Sequence, residues 1–374
     1  MERGKQEGKR SHDITRTTTE RLPGQTIKFK NGVEIVGSYS IVGKKEGNGP
    51  LGKTFSKVID DEYFGEKTHE AAEQKMFEHA ISGAIKNAKM KPDDIDMMFS
   101  GDLLNQLISS SFAARTFDMT FVGLYGACST MALTLSMAAC MVDAGYIKTA
   151  VVSAGSHYAT AERQYRTPLE LGNQKPPTSQ WTVTGVGAAV LIKSSSKNVA
   201  TQGKKINAAT TKDAVSGKSH PRITSVTFGK VCDWGVTDVN NMGAAMAPSA
   251  AHTIIAHFRD TDTRPEDYDA IFTGDLGKLG ENIFRDLLAN ANYSLDHRYS
   301  DCGRLIYGKS QNQYQGGSGC GCSAVTLNGF IMKKLRSSEY RKVLLVATGA
   351  LLSPVSSFQG NTVPGISHAV VIES

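Results

Sequence analysis

The chemistry in this chain gathers around Cys128. Gly126-Ala127-Cys128-Ser129-Thr130 follows the apolar run 121–125 and precedes a stretch that stays uncharged to Val142. A strand, a tight glycine turn, a cysteine and then an apolar helix put a thiol at a helix N-terminus. Partial positive charge and free N–H groups there favour thiolate, lowering a pKa that starts at about 8.5. Such a thiol is an activated nucleophile; the same pattern also describes a small cysteine packed in a strand–helix turn. His157 follows the next apolar strand and reads in three ways: a general base, a ring that donates to a ligand carboxylate, or a hydrogen-bonded loop histidine. Arg163 and Arg166 come just after it, with Arg115 and Lys230 as weaker candidates. Guanidinium forks suit carboxylates, and each of these cations also reads as a surface ion pair. Asp102 and Asp275 each stand behind a glycine at a strand end. Paired carboxylates serve acid–base catalysis or Ca²⁺ binding, and equally serve as loop caps. Asn105 orients a ligand or closes its own turn. Gly316-Gly317-Ser318-Gly319 is a permissive loop that lets a ligand reach backbone N–H groups.

The elements that position these residues come in two copies. Lys91-Pro92-Asp93-Asp94-Ile95-Asp96 returns as Arg264-Pro265-Glu266-Asp267-Tyr268-Asp269, and Phe99-Ser100-Gly101-Asp102-Leu103 as Phe272-Thr273-Gly274-Asp275-Leu276. Ala127-Cys128-Ser129 is echoed by Gly321-Cys322-Ser323. The segments 151–155 and 185–192 are echoed by 345–349 and 365–372. A period of this size duplicates a whole domain, since solenoid repeats are far shorter. A pocket at the seam between two like halves is the first place to look for function. Helical periodicity runs over 68–89 with Thr68 as N-cap, then strands at 97–100 and 121–125, a helix over 130–143, and strands at 150–154 and 186–192. The second half offers a helix from about residue 250, a strand at 270–273, helices over 282–291 and 324–335, and strands at 343–347 and 368–373. Alternating strands and helices predict an α/β fold. The domains expected are a basic leader over 1–24, halves over 25–193 and 220–374, and a Ser/Lys/Thr-rich insert over 194–219.

Composition bounds the function. The net charge is +6 over 374 residues, with 40% hydrophobic and 21% charged content, which describes a globular chain with material for two cores. Residues 1–30 carry net +4 and residues 193–222 net +6, so the remainder carries net −4. The basic character sits in a tail and an insert, which argues against nucleic acid as partner and leaves contact with an anionic membrane surface open. Six scattered cysteines suit reduced thiols, and Cys320-x-Cys322 has the wrong spacing for a zinc knuckle, so no metal is expected. The first 25 residues lack the apolar core of a signal peptide. The uncharged stretch 119–142 is long enough for a membrane span, but its glycines, serines and threonines fit a strand and a buried helix better.

A strand–Cys–buried-helix unit in a duplicated α/β chain resembles the thiolase superfamily and, within it, the stage V sporulation protein AD family. Carrying the likeness are Gly49-Pro50-Leu51-Gly52, Gly101-Asp102-Leu103-Leu104-Asn105-Gln106 and the Cys128 motif. Ser156-His157-Tyr158-Ala159-Thr160-Ala161-Glu162-Arg163, Gly316-Gly317-Ser318-Gly319-Cys320-Gly321-Cys322 and Ala347-Thr348-Gly349-Ala350 complete it. The resemblance implies a thiolase-like, five-layered αβαβα fold. It implies binding of dipicolinic acid (pyridine-2,6-dicarboxylate) for uptake into developing spores, with Ca²⁺ a candidate companion of the ligand. It further implies a location peripheral to the spore inner membrane beside other proteins of the stage V sporulation A operon, and a homodimer. Condensing enzymes of this fold pair the cysteine with a histidine and an asparagine, or with two histidines, from the second half. Here those positions fall at Asp275 and Ser318, so the implied pocket is non-catalytic and is lined by Cys128, His157, Arg163, Asp102, Asn105, Asp275 and Ser318. The alternative is a Cys128-dependent condensing enzyme or acyltransferase using an acyl-CoA thioester.

Overall fold

The computed structural model describes residues 20–166, 176–194 and 220–374. The leader up to residue 19 and the insert over 195–219 lie outside the described residues. Among the described residues, ten strands carry the architecture. In the first half these are β1 (Thr26–Val42), β2 (Met97–Gly101), β3 (Phe121–Gly123), β4 (Thr149–Ser156) and β5 (Gly185–Lys193). In the second they are β6 (Arg222–Phe228), β7 (Ala270–Thr273), β8 (Tyr299–Asp301), β9 (Lys342–Ala350) and β10 (Gly365–Glu373). The spatial order is β3-β2-β4-β5-β1 and then β6-β10-β9-β7-β8, one order mirrored in the other. Parallel pairs fill the outer part of each half, and antiparallel pairs the inner part. β1 and β6 pair antiparallel and join the halves into one continuous sheet.

The helices that complete the layers are α1 (His69–Asn87), α2 (Ile108–Phe117), α3 (Thr130–Asp143), α4 (Tyr158–Arg166), α5 (Met242–Thr261), α6 (Gly277–Asn290) and α7 (Cys320–Thr326). α7 continues through a π-helical turn, Leu327–Ile331, into Met332–Arg336. α1 and α2 cover one outer face, α5 and α6 the other, and α3 and α7 lie in the middle. This is the expected αβαβα sandwich. β4 is buried on both faces along nearly its whole length, and such strands read as continuous apolar runs, which is why the sequence revealed them. α3 is apolar all round because both halves pack on it. Met131, Leu135 and Val142 share a core with Val152 and Leu191 of the first half and with Leu345 and Val370 of the second.

Three differences from the sequence reading have identifiable physical causes. α5 begins at Met242, eight residues before the expected start, with the Asn241 side chain accepting from Ala244 N. Pro248 inside the helix reads as a breaker because it cannot donate to the turn before it, yet it is buried there and the helix runs through. α7 begins at Cys320, four residues early, because Gly319 at φ 95° turns the chain directly out of the glycine loop. β1 and β6 have no counterpart in the reading. β1 mixes Lys28, Lys30 and Glu34 with two glycines, and a bulge between Lys28 and Val33 interrupts its pairing with β6.

Leu135 is fully buried where α3 meets both halves of the sheet. Leu135→Ala is expected to cost about 2–5 kcal/mol, and urea unfolding followed by circular dichroism should show that loss in one transition rather than in one of two.

Candidate functional site

The Cys128 turn is built by backbone that only a crowded junction enforces. Ala127 sits at φ 49°, left-handed for a residue with a Cβ and therefore costly unless its surroundings hold it. Its surroundings do hold it. Ser129 Oγ donates to Gly126 O at 2.6 Å, Thr130 Oγ1 donates to Ala127 O at 2.6 Å, and the Cys320 thiol donates to the same carbonyl at 2.9 Å. Gly349 on β9 lies so close that a Cβ there would stand 2.3 Å from Gly126 O. The second half thus presses on the turn that presents the first half's cysteine.

From the end of β7, Asp275 reaches the same point. Its Oδ1 accepts from Thr348 Oγ1 at 2.6 Å, and its Oδ2 accepts from Ser318 Oγ at 2.7 Å and Gly319 N at 3.0 Å. The Cys128 Sγ lies 3.7 Å from Ser318 Oγ. Ser318 has one proton, and the carboxylate holds it, so toward Cys128 the serine oxygen is an acceptor. The cysteine faces it as an S–H donor. Burial pushes the Cys128 thiol well above its ordinary value, and the Asp275 charge pushes it further in the same direction. The helix N-terminus that would favour thiolate is outweighed, and Cys128 rests as a neutral thiol.

Of the residues expected at the pocket, the fold brings together Cys128, Ser318 and Asp275. Asp102 is buried at the equivalent strand end but caps its own loop, accepting from Ser110 Oγ at 2.6 Å, Ser110 N at 2.8 Å and Leu104 N at 2.9 Å. Asn105 does not reach these three and lies farther out at the mouth of the site, its backbone N–H donating to Gln164 Oε1. His157 is not at the cavity. Its Nδ1 accepts from Ala159 N at 3.2 Å, which leaves Nε2–H to donate to Glu62 O at 2.9 Å. Burial holds it down to about 4, so the ring is neutral. Arg163 points to the surface and pairs with Glu70. Arg115 is exposed, stacked over Phe112 at 4.8 Å, and Lys230 is exposed; the Arg166 side chain lies outside the described residues. A ring and a guanidinium that follow the strand in sequence are turned away by α4, which begins immediately after His157 and carries Arg163 on its outer side.

Tyr125 and Tyr165 define the site instead, and composition gave no sign of them. Around Cys128 is a space of about 30 Å³ bordered by Leu103, Ala161, Met242, Ala350 and Leu352, room for a water or two. Outside it opens a vestibule of about 380 Å³ bordered by Asn105, Gln106, Leu107, Leu351, Ser353 and Pro354, a size that suits a small ligand. Leu103, Tyr125, Tyr165 and Leu352 border both. Among the described residues, none bordering either space is charged. Gln106 and Leu107 at the rim are both left-handed, at φ 58° and 54°, strain of the kind that collects at ligand sites. No cluster of three or more metal-binding side chains occurs among the described residues.

Comparison with known proteins agrees with this frame. The family model of stage V sporulation protein AD matches residues 23–373. Stage V sporulation protein AD of Bacillus subtilis (strain 168) is 42% identical over 349 residues, covering 93% of this chain and 96% of that protein. Among solved structures, 3-oxoacyl-[acyl-carrier-protein] synthase III from Aquifex aeolicus VF5 superposes with a TM-score of 0.55 at 13% identity, covering 92% of this chain and all of that one. OleA from Xanthomonas campestris, crystallised with lauric acid and lauroyl-CoA, superposes with a TM-score of 0.54 at 15% identity over 91% of this chain and 99% of that one. At such identities the two structures establish the thiolase-like fold alone.

Two titrations check the electrostatics. Alkylation of Cys128 by a small neutral reagent should still be accelerating at about pH 9, because thiolate is the reacting form; a plateau near pH 7 would contradict a neutral resting thiol. His157 is depressed from 6.5 to about 4 on folding. Its contribution to stability is present above 6.5 and is lost as pH falls through about 4. Melting of His157→Gln should therefore show a shallower fall in stability between pH 6.5 and 4 than the parent chain.

Proposed function

The chain belongs to the stage V sporulation protein AD family, a sporulation family on the thiolase-like fold, and on that premise we propose that it is a binding protein for dipicolinic acid rather than a condensing enzyme. The observation that carries the second half of this reading is the Cys128–Ser318–Asp275 line. A condensing cysteine needs a partner that removes its proton and donors that stabilise an acyl oxyanion. This one has a carboxylate behind the hydroxyl it touches, so a thiolate would form against a like charge.

The vestibule supports the first half. A planar pyridine with two carboxylates needs a flat apolar wall and several donors. Tyr125 and Tyr165 supply rings, while the Asn105 and Gln106 amides and the Ser353 hydroxyl supply neutral donors at the rim. With no cation bordering the space among the described residues, a ligand whose charge is neutralised by Ca²⁺ suits it better than the bare dianion. Asp275 sits too deep and is too fully bonded to join a metal. Work beside membrane partners of the same operon, at the surface of the spore inner membrane, belongs to the same proposal. No helix among the described residues is long and apolar enough to cross a membrane, so such an association would be through a surface.

Titration calorimetry with dipicolinate, with and without Ca²⁺, tests the binding. Saturable heat is expected, stronger with Ca²⁺. Asn105→Ala should weaken it about tenfold, as for a lost hydrogen bond to a charged group, while His157→Gln leaves it unchanged. No heat at millimolar ligand would sink the binding reading. A thioester on Cys128 after incubation with acyl-CoA, read by intact mass, would favour an acyltransferase in its place.

A further inference from the structure

Tyr125 and Tyr165 border both the vestibule and the space around the thiol, as Leu103 and Leu352 do, and the two tyrosines are not held alike. Tyr165, at the end of α4, donates its phenol proton to Leu103 O. With that proton engaged, its oxygen can only accept, so the contact with Tyr125, at 3.4 Å between the hydroxyls, has Tyr125 as donor. That separation is long for an O–H···O bond and correspondingly weak. Tyr125 is also 44% exposed and stands just before Gly126, at the edge of the Cys128 turn. One leaf is therefore anchored, and the other is tied weakly at its tip.

We propose that Tyr125 is the residue that sets the specificity of this site: its ring confines anionic ligands to the vestibule and screens Cys128 from them. The reading deepens the proposal that the vestibule is the binding compartment. Behind the ring the space is apolar apart from Thr182 and the Cys128–Ser318 pair, and beyond Ser318 lies the Asp275 carboxylate. Charge and size together exclude a dicarboxylate from it. A small neutral group meets no charge barrier, and the room it needs opens when Tyr125 swings outward, a rotation that exposed side chains make in picoseconds to nanoseconds. On that timescale the exposure of Cys128 follows the open population, and removing the ring raises that population directly.

The test is independent of dipicolinate. N-ethylmaleimide labelling of the full chain is followed by peptide mass spectrometry, with the rate at Cys128 divided by the rate at half-exposed Cys232 in the same tube. Tyr125→Ala is expected to raise that ratio about tenfold or more, and Tyr125→Phe, which keeps the ring, to change it by about twofold at most. An alanine variant that labels Cys128 no faster than the parent overturns the proposal, as does a phenylalanine variant that labels as fast as the alanine one. If Tyr125→Ala unfolds, its buried cysteines Cys302 and Cys322 will label with Cys128, and Tyr125→Leu then provides the same comparison in a folded chain. Loss of dipicolinate binding alone, with these rates as expected, would remove the vestibule's ligand and leave the screen standing.

Discussion

A buried carboxylate must be fully bonded, and Asp275, 1% exposed, shows what that requirement does to a fold. It sits at the end of β7, and its three donors come from β9 and from the glycine loop ahead of α7. Loss of any one of them would leave a buried charge under-bonded, at a cost of about 1–3 kcal/mol or more. Three segments of the second half are therefore held in register by one side chain. Burial keeps the first half's cysteine protonated, and the charge of the same side chain acts in the same direction. Structure and chemistry meet in this group, which holds the loop in place and adds its charge to the burial that already disfavours a thiolate.

Duplication explains the frame and fails at the site. Asp102 and Asp275 occupy like positions, yet Asp102 closes a loop of its own half, whereas Asp275 faces the seam. Ala127-Cys128-Ser129 and Gly321-Cys322-Ser323 echo one another, yet Cys128 precedes its helix and Cys322 lies inside one. The difference arises in the backbone: left-handed Ala127 delays the start of α3, whereas Gly319 turns the chain into α7 before Cys320. Two copies of one motif can therefore share a sequence pattern and differ in which atoms they offer.

The parts of the fold legible in sequence were those where one force dominates. β4, β5, β9 and β10 are buried on both faces and read as apolar runs; α1 shows its period and its Thr68 cap. β1 and β6 were not legible, because a strand bearing Lys28, Lys30 and Glu34 takes its place through partners distant in the chain. At the site, the glycine loop and Cys128 were visible as motifs, and Ser318 and Asp275 followed from the internal repeat. His157 and Arg163 follow the strand end in sequence, but α4 turns one into the core and the other to solvent. The tyrosines carried no signal, since an aromatic beside a strand reads first as core.

The join between β1 and β6 also governs how the chain can be assembled in time. β1 must wait for β5, whose pairing begins with Val33 opposite Lys193, and then for β6, where Thr26 meets Thr227. Until about residue 193 is made β1 has neither of its long sheet neighbours, and until about residue 227 its β6 edge stays open. Contacts so distant in sequence slow folding, because loop closure precedes any gain from pairing. An unpaired, partly apolar strand is also a site for wrong partners in the interval. A nascent chain of this architecture is thus most exposed to aggregation before β6 is made, and β1 is the segment that needs shielding.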